Sequence, residues 1–280
     1  MTRMIAAGMP SRFPRLALHS WICLLAFSLF SATPASSLAA ETQKSPVVII
    51  HGAFGGGWDW KHVGQLLQNR GHIVYRPTLT GLGERSHLAS PEISLRTHIQ
   101  DVVNVIRFEG LSNVTLVAHS YSGMVATGVM EEIPQLLKRV VFLDAAIPDD
   151  GESFVSFNEA MGATLPEKPG TGFLTLGGAF AFGREPPSDV PQSWKTFTEP
   201  VTFRNPISQK LPATFVFFLD QDQNPEVVIP GNDDSKFRHA AWKRLSARGW
   251  KIDKFKGDHV SERTRPVELA AFLDALFGQP

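Results

Sequence analysis

From residue 46 onward, apolar runs of strand length alternate with stretches of helical periodicity. Pro46–Ile50 (PVVII) is apolar at every position, the pattern of a strand covered on both faces. Trp58–Asn69 carries its apolar residues at helical spacing and stops at Arg70-Gly71, where glycine can cap the helix. His72–Tyr75 predicts a second strand and Ser94–Phe108 a second helix. Val114–Val117 is a third strand, leading through AHS into a helix over Gly123–Glu132. VVFL at Val140–Leu143 is a fourth strand, FVFFL at Phe215–Leu219 a fifth and Lys251–Phe255 a sixth. Phe237–Ala247 reads as a helix between the last two, and a final helix starts near Pro266, a residue suited to the first helical position. This alternation predicts an α/β protein: a mostly parallel sheet of about six strands with helices on both faces.

Residues 147–211 interrupt the pattern, rich in Gly, Pro and Phe and poorly periodic. An insertion of that length is not an ordinary loop. Phe154, Phe157, Phe173, Phe180, Phe182, Trp194, Phe197 and Phe203 would be costly to leave in water. The segment therefore reads as a Phe-rich lid packed over a pocket, inserted before the last two strands.

The first forty residues form a different pattern. Arg3, Arg12 and Arg15 precede the apolar run Trp21–Phe30, and SATPASSLAAETQ follows. A basic region, a short apolar core and a small-residue zone are the parts of a secretory signal peptide. The run is shorter than the roughly 20 apolar residues that span a bilayer. The expectation is a signal peptide over 1–40 and one folded α/β domain over 41–280, secreted or periplasmic, without stable membrane insertion. Cys23 is the only cysteine and lies in the apolar core, so the mature chain would hold no disulfide, cysteine nucleophile or cysteine-based metal site.

Composition removes other classes. Lys+Arg and Asp+Glu balance at 27 each, which offers no global field for nucleic acid. With 43% hydrophobic and 19% charged residues, the chain is ordinary for a folded enzyme.

Three segments carry candidate chemistry. In LVAHSYSGMV a strand passes through small-x-Ser-x-small into a helix, the sequence form of a strained nucleophile elbow. Ser120 is the candidate nucleophile and Ser122 a small spacer two residues on. HGAFGGGW, residues 51–58, follows the first strand and can turn backbone N–H groups toward a developing oxyanion, with Ala53 and Tyr121 as the expected donors. Its glycines do not form GxGxxG and no GK[ST] follows, which disfavours a phosphate cradle. KGDHVSE, residues 256–262, puts His259 after the last strand as the candidate general base. His51 and His119 adjoin the first two segments and read as structural, while His87 could face the pocket or solvent. Asp144, at the end of VVFL, or Asp220 or Asp222, after FVFFL, could orient the histidine.

HGAFGGGWDW, PTLTGLGERSHL, HIQDVVNVI, LVAHSYSGMV, VFLDAAIPDDGESF and GDHV together resemble the α/β-hydrolase superfamily over about residues 46–278. More narrowly, they are similar to its branch of plant methylesterases, hydroxynitrile lyases and bacterial pyrethroid-type carboxylesterases. The resemblance implies an α/β-hydrolase fold, a Ser-His-Asp triad, an acyl-enzyme, a small-molecule ester substrate, and no metal or cofactor. The family's usual acid position after FVFFL falls on Gln221. Bacterial relatives with LDAxxPxDG point instead to Asp144, which is the choice here. Val260 stands where the hydroxynitrile lyases carry lysine, which disfavours cyanohydrin cleavage. Ser120 at the elbow excludes the aspartate chemistry of dehalogenases and epoxide hydrolases. A ligand-binding receptor on a hydrolase scaffold is the alternative from another class.

Overall fold

The computed structural model describes residues 44–163, 167–175, 183, 185–219, 223–227 and 232–279. The expected signal peptide, Cys23, Phe180, Phe182, Asp220 and Asp222 lie outside the described residues.

Six strands form one sheet, β1 (Val47–Ile50), β2 (Val74–Tyr75), β3 (Val114–His119), β4 (Leu137–Leu143), β7 (Ala213–Leu219) and β8 (Lys251–Lys256), with β5 (Phe173–Leu174) and β6 (Gln192–Ser193) paired separately. The order across the large sheet is β2-β1-β3-β4-β7-β8, and every neighbouring pair is parallel. The helices are α1 (Lys61–Gln68), α2 (Leu95–Phe108), α3 (Ser122–Glu132), α4 (Phe154–Ala160), α5 (Lys195–Thr198), α6 (Asp233–Arg248), α7 (Ser261–Thr264) and α8 (Pro266–Phe277).

The continuous apolar strands divide by their period of two into two cores. Val48, Ile50, Leu116, Ala118, Val140, Phe142, Phe215 and Phe217 face α2, α3 and α6. Val47, Ile49, Val117, Val141, Leu143, Val216 and Phe218 face α1 and α8. Each such side chain, fully buried, contributes roughly 1.5–3 kcal/mol, so the central strands fix the register firmly.

The predicted elements are present, with informative differences at their ends. The first helix starts at Lys61 rather than Trp58, because residues 57–60 form a turn in which Asp59 accepts the Gly56 N–H at 3.0 Å. The second strand is reduced to Val74–Tyr75 at the sheet edge. Within 147–211 the structure has more order than the sequence pattern suggests: α4, α5 and the β5–β6 pair, with Phe157, Trp194, Phe197 and Phe203 buried in the first core.

Helix α3 is buried from Ser122 to Met130, which explains its small residues. A Cβ on Gly123 would lie 1.9 Å from the Ala146 carbonyl oxygen, so the helix that follows β3 can pack against the residues after β4 only with glycine there. Replacing Gly123 with Ala should therefore destabilise the fold by at least about 1–3 kcal/mol through overpacking. At Gly110 (φ 62°) nothing lies within 4 Å of an added Cβ, so Gly110→Ala should carry only the backbone strain, about 1–2 kcal/mol. Chemical denaturation of the two variants measures the difference, and equal midpoints would contradict the packing account.

Candidate active site

Strand β3 delivers Ser120 at the carboxyl edge of the sheet with φ 56°, the left-handed conformation expected of a sharp elbow. The strained turn is held on both sides. Ser120 N–H donates to the Leu143 carbonyl at 3.2 Å, and the Ser120 carbonyl accepts from Ala146 N–H at 2.9 Å. Ser122 is more than a spacer. Its hydroxyl lies within hydrogen-bond distance of the carbonyls of Ile50 (2.9 Å) and His119 (2.8 Å), and accepts from His119 N–H at 2.8 Å, stapling β1 to β3 under the elbow.

The loop after β8 brings His259 to this point. Its Nε2 lies 2.9 Å from Ser120 Oγ, and its Nδ1 lies 2.6 Å from Asp144 Oδ2. The carboxylate can only accept, so Nδ1 carries the proton and Nε2 is left to accept from the Ser120 hydroxyl. Asp144 extends β4 by one residue and also has a left-handed backbone, φ 45°. Burial in the pocket disfavours the imidazolium, but the hydrogen bond and charge of Asp144 outweigh it, and the His259 pKa is raised above its ordinary 6.5.

Ala53 follows β1 beside the elbow: a Cβ added to its neighbour Gly52 would lie 3.2 Å from the Ser120 Cβ. Among the described residues, neither the Ala53 nor the Tyr121 N–H has an internal hydrogen-bond acceptor. These are the two N–H groups for which the sequence pattern predicts an oxyanion role.

Three histidines form a neutral framework. His51 holds the Gly52 carbonyl through Nδ1 (2.8 Å) and accepts the Leu79 N–H through Nε2 (3.1 Å). His98 donates through Nε2 to the Thr80 carbonyl (3.1 Å), which leaves Nδ1 to accept from the Tyr121 hydroxyl (3.1 Å). Burial lowers the pKa of each to about 4. His119, packed against the His259 ring, donates through Nε2 to the His259 carbonyl at 2.7 Å, and burial takes its pKa well below 6.5. His87 is exposed. The sequence reading gave no role to Glu262, which is fully buried with Oε2 4.0 Å from His119 Nε2. Burial raises its pKa to about 8.

Ser120, His259, Asp144 and Ala53 open onto a cavity of about 730 Å³. Phe154 and Phe157 from α4, Phe215, Phe217 and Phe218 from β7, and Phe237 from α6 give it an apolar wall. A cavity of that volume with such a wall suits a small organic molecule that has an apolar part. The described residues contain no cluster of His, Cys, Asp and Glu able to hold a metal, and no helix among them is long and apolar enough to cross a membrane.

Residues 47–272 match the alpha/beta hydrolase family. Over 240 residues the chain is 33% identical to the carbendazim hydrolyzing esterase of Nocardioides sp. (strain SG-4G), an alignment covering 82% of this chain and 98% of that one. It is 28% identical to methylesterase 1 of Arabidopsis thaliana, over 50% of this chain and 55% of the relative. Among solved structures, a pyrethroid hydrolase from Sphingobium faniae JZ-2 superposes with a TM-score of 0.62 at 16% identity, over 84% of this chain and 98% of that one. The chain belongs to the alpha/beta hydrolase family. By the same kinship it is a carboxylic ester hydrolase.

The buried titratable groups set the acid stability. Each histidine that must charge on unfolding makes the unfolded state bind more protons below pH 6.5, so stability is lost as pH falls from about 6.5 toward 4. Glu262, neutral when folded, takes the opposite sign between about pH 8 and its ordinary 4.5. The expected net slope near pH 5.5 is about two protons per molecule, and Glu262→Gln should steepen it. Unfolding free energies measured between pH 7 and 4.5 check this; a flat profile would contradict the neutral-histidine framework.

Proposed function

We propose that the protein hydrolyses small esters with a hydrophobic or aromatic part, through a Ser120-His259-Asp144 triad and an acyl-enzyme, without metal or cofactor. The observation that carries the reading is the unbroken hydrogen-bonded line from Asp144 through His259 to Ser120 at the floor of a Phe-walled cavity.

In this mechanism the Ser120 oxygen attacks the ester carbonyl carbon while its proton passes to His259 Nε2. The carbonyl oxygen becomes an alkoxide and is stabilised by the Ala53 and Tyr121 N–H groups, which have no competing internal acceptor among the described residues. Asp144 stabilises the imidazolium and fixes its tautomer. Collapse breaks the bond to the alkoxy oxygen, which leaves as the alcohol with the proton from His259. A water molecule, deprotonated by the same nitrogen, then attacks the acyl-enzyme, and the carboxylic acid is released with Ser120 reprotonated.

The substrate preference is supported by the seven phenylalanines on the cavity wall, Phe54 among them, which would lose contact area with a wholly polar ester. Ser120→Ala should reduce kcat/KM on short nitrophenyl esters by about 10⁴-fold or more, and Asp144→Asn by about 10⁴-fold. Ser122→Ala should retain most activity per folded molecule, at a stability cost of about 1–3 kcal/mol for the lost staple. The acid limb of kcat/KM should lie above pH 6.5 in the wild type and move downward in any residual Asp144→Asn activity, because the raising influence on His259 is gone while burial remains. Full activity in Ser120→Ala would refute the acyl-enzyme, and full activity in Asp144→Asn would move the acid elsewhere.

The basic and apolar pattern of residues 1–40 supports export, with cleavage after Ala39 or Ala40. Expressed from its native start, the mature protein should begin at Ala40 or Glu41 by N-terminal sequencing. An intact Met1 on the folded protein would rule this out.

A further inference from the structure

The loop 51–60 that carries Ala53 makes an unfavourable turn immediately after it. Phe54 has φ 67°, a conformation that a bulky aromatic residue adopts only when its surroundings impose it. Here they come from the insertion. Phe54 N–H donates to Gln192 Oε1 at 2.9 Å, and the Phe54 carbonyl accepts from Val190 N–H at 2.9 Å. Gln192 is fixed in turn by its amide donating to Thr196 Oγ1 at 2.8 Å.

Both sides of this clamp converge on one guanidinium. Arg263 Nε donates to Asp59 Oδ1 at 2.8 Å, and the second oxygen of Asp59 holds the Gly56 N–H at 3.0 Å. Arg263 Nη2 and Nη1 donate to the two oxygens of Asp189, at 2.7 and 3.3 Å, directly before Val190. The Asp59 and Asp189 side chains are only 4% and 6% exposed, and the guanidinium stacks 5.0 Å over the Trp58 ring. Arg263 sits on α7, four residues after His259. One planar, permanently charged fork thus joins the turn after Ala53, the inserted segment 189–192 and the chain bearing His259. A lysine ammonium could not span two carboxylates in this way.

We propose that Arg263 is a positioning residue for the oxyanion site: through Asp59 and Asp189 it fixes the Ala53 N–H relative to Ser120 and His259. This rests on the acyl-enzyme reading, in which the Ala53 N–H stabilises charge that develops only in the transition state. Misplacing such a donor raises the barrier without weakening ground-state binding equally.

The test compares Arg263→Gln, Arg263→Lys and Asp189→Asn with the wild type in thermal unfolding, in kcat and KM on a nitrophenyl ester, and in inhibition by an aryl trifluoromethyl ketone. The ketone adds the serine oxygen to form a hemiketal oxyanion and so reads the oxyanion donors. In folded Arg263→Gln, kcat and ketone affinity should fall together by about 10–100-fold, with KM within about threefold. Arg263→Lys should recover thermal stability better than kcat, because charge is kept and the fork is lost. Where Arg263→Gln does not fold, Asp189→Asn should show the same paired loss at smaller size. Folded Arg263→Gln or Asp189→Asn with kcat and ketone affinity at the wild-type level would overturn the proposal, as would a loss confined to KM. Ser120→Ala, assayed alongside, separates the two readings: activity retained there overturns the acyl-enzyme and this role with it. Activity lost there beside unaffected Arg263 variants overturns only the positioning role.

Discussion

Everything at the carboxyl edge of the sheet depends on the Ser120 backbone being held at a left-handed φ of 56° between two strands and a helix. That conformation is unfavourable for serine, and hydrogen bonds from β4, the Ser122 staple and the absent side chain of Gly123 over Ala146 maintain it. The same crowding that strains the turn projects the hydroxyl to where a histidine from the loop after the last strand meets it, with an aspartate from the end of the neighbouring strand on that histidine's other nitrogen. Precise local packing below the site permits openness above it.

Phenylalanines line the cavity beside that point, and the buried histidines around it are neutral where no anion faces them. His51, His98 and His119 serve as hydrogen-bonding frames whose burial keeps them uncharged near neutral pH, while His259 alone among the four is pushed toward protonation by its carboxylate partner. The distinction is one of partner: the framework rings meet carbonyls, hydroxyls and N–H groups, and His259 meets an anion. Residues of one chemical type therefore divide into structure and chemistry according to what lies 3 Å away.

The sheet, its order of elements and the meeting of Ser120 with His259 were legible in the sequence, because continuous apolar strands and a strand-small-Ser-small-helix passage have few physical solutions. From the residues alone Asp144 was legible as one of several acids, since an aspartate ending an apolar strand and one in a polar loop look alike until distances are known; the family resemblance made it the choice. Two kinds of information were hidden. The insertion shows no periodicity, because its helices are only seven and four residues long and its phenylalanines pack both on each other, as Phe154 on Phe197, and on Tyr121 and Phe54 of the body, so α4 and α5 left little trace. Arg263, Asp59 and Asp189 are separated by more than seventy residues at each step of the chain, and only the folded structure brings their charges together.

Asp144 shares with Ser120 a backbone in the left-handed region, φ 45°. Among the amino acids, only glycine, asparagine and aspartate enter that region at small cost. The position therefore constrains its own history twice, once by charge and once by shape. A chain without a carboxylate here could fill this position at small cost only with asparagine or glycine. A glutamate, which keeps the charge, would have to bend the end of β4 to stay. The carboxylate is thus tied to the shortest acidic side chain by the peptide that bears it, before any demand from the histidine is considered.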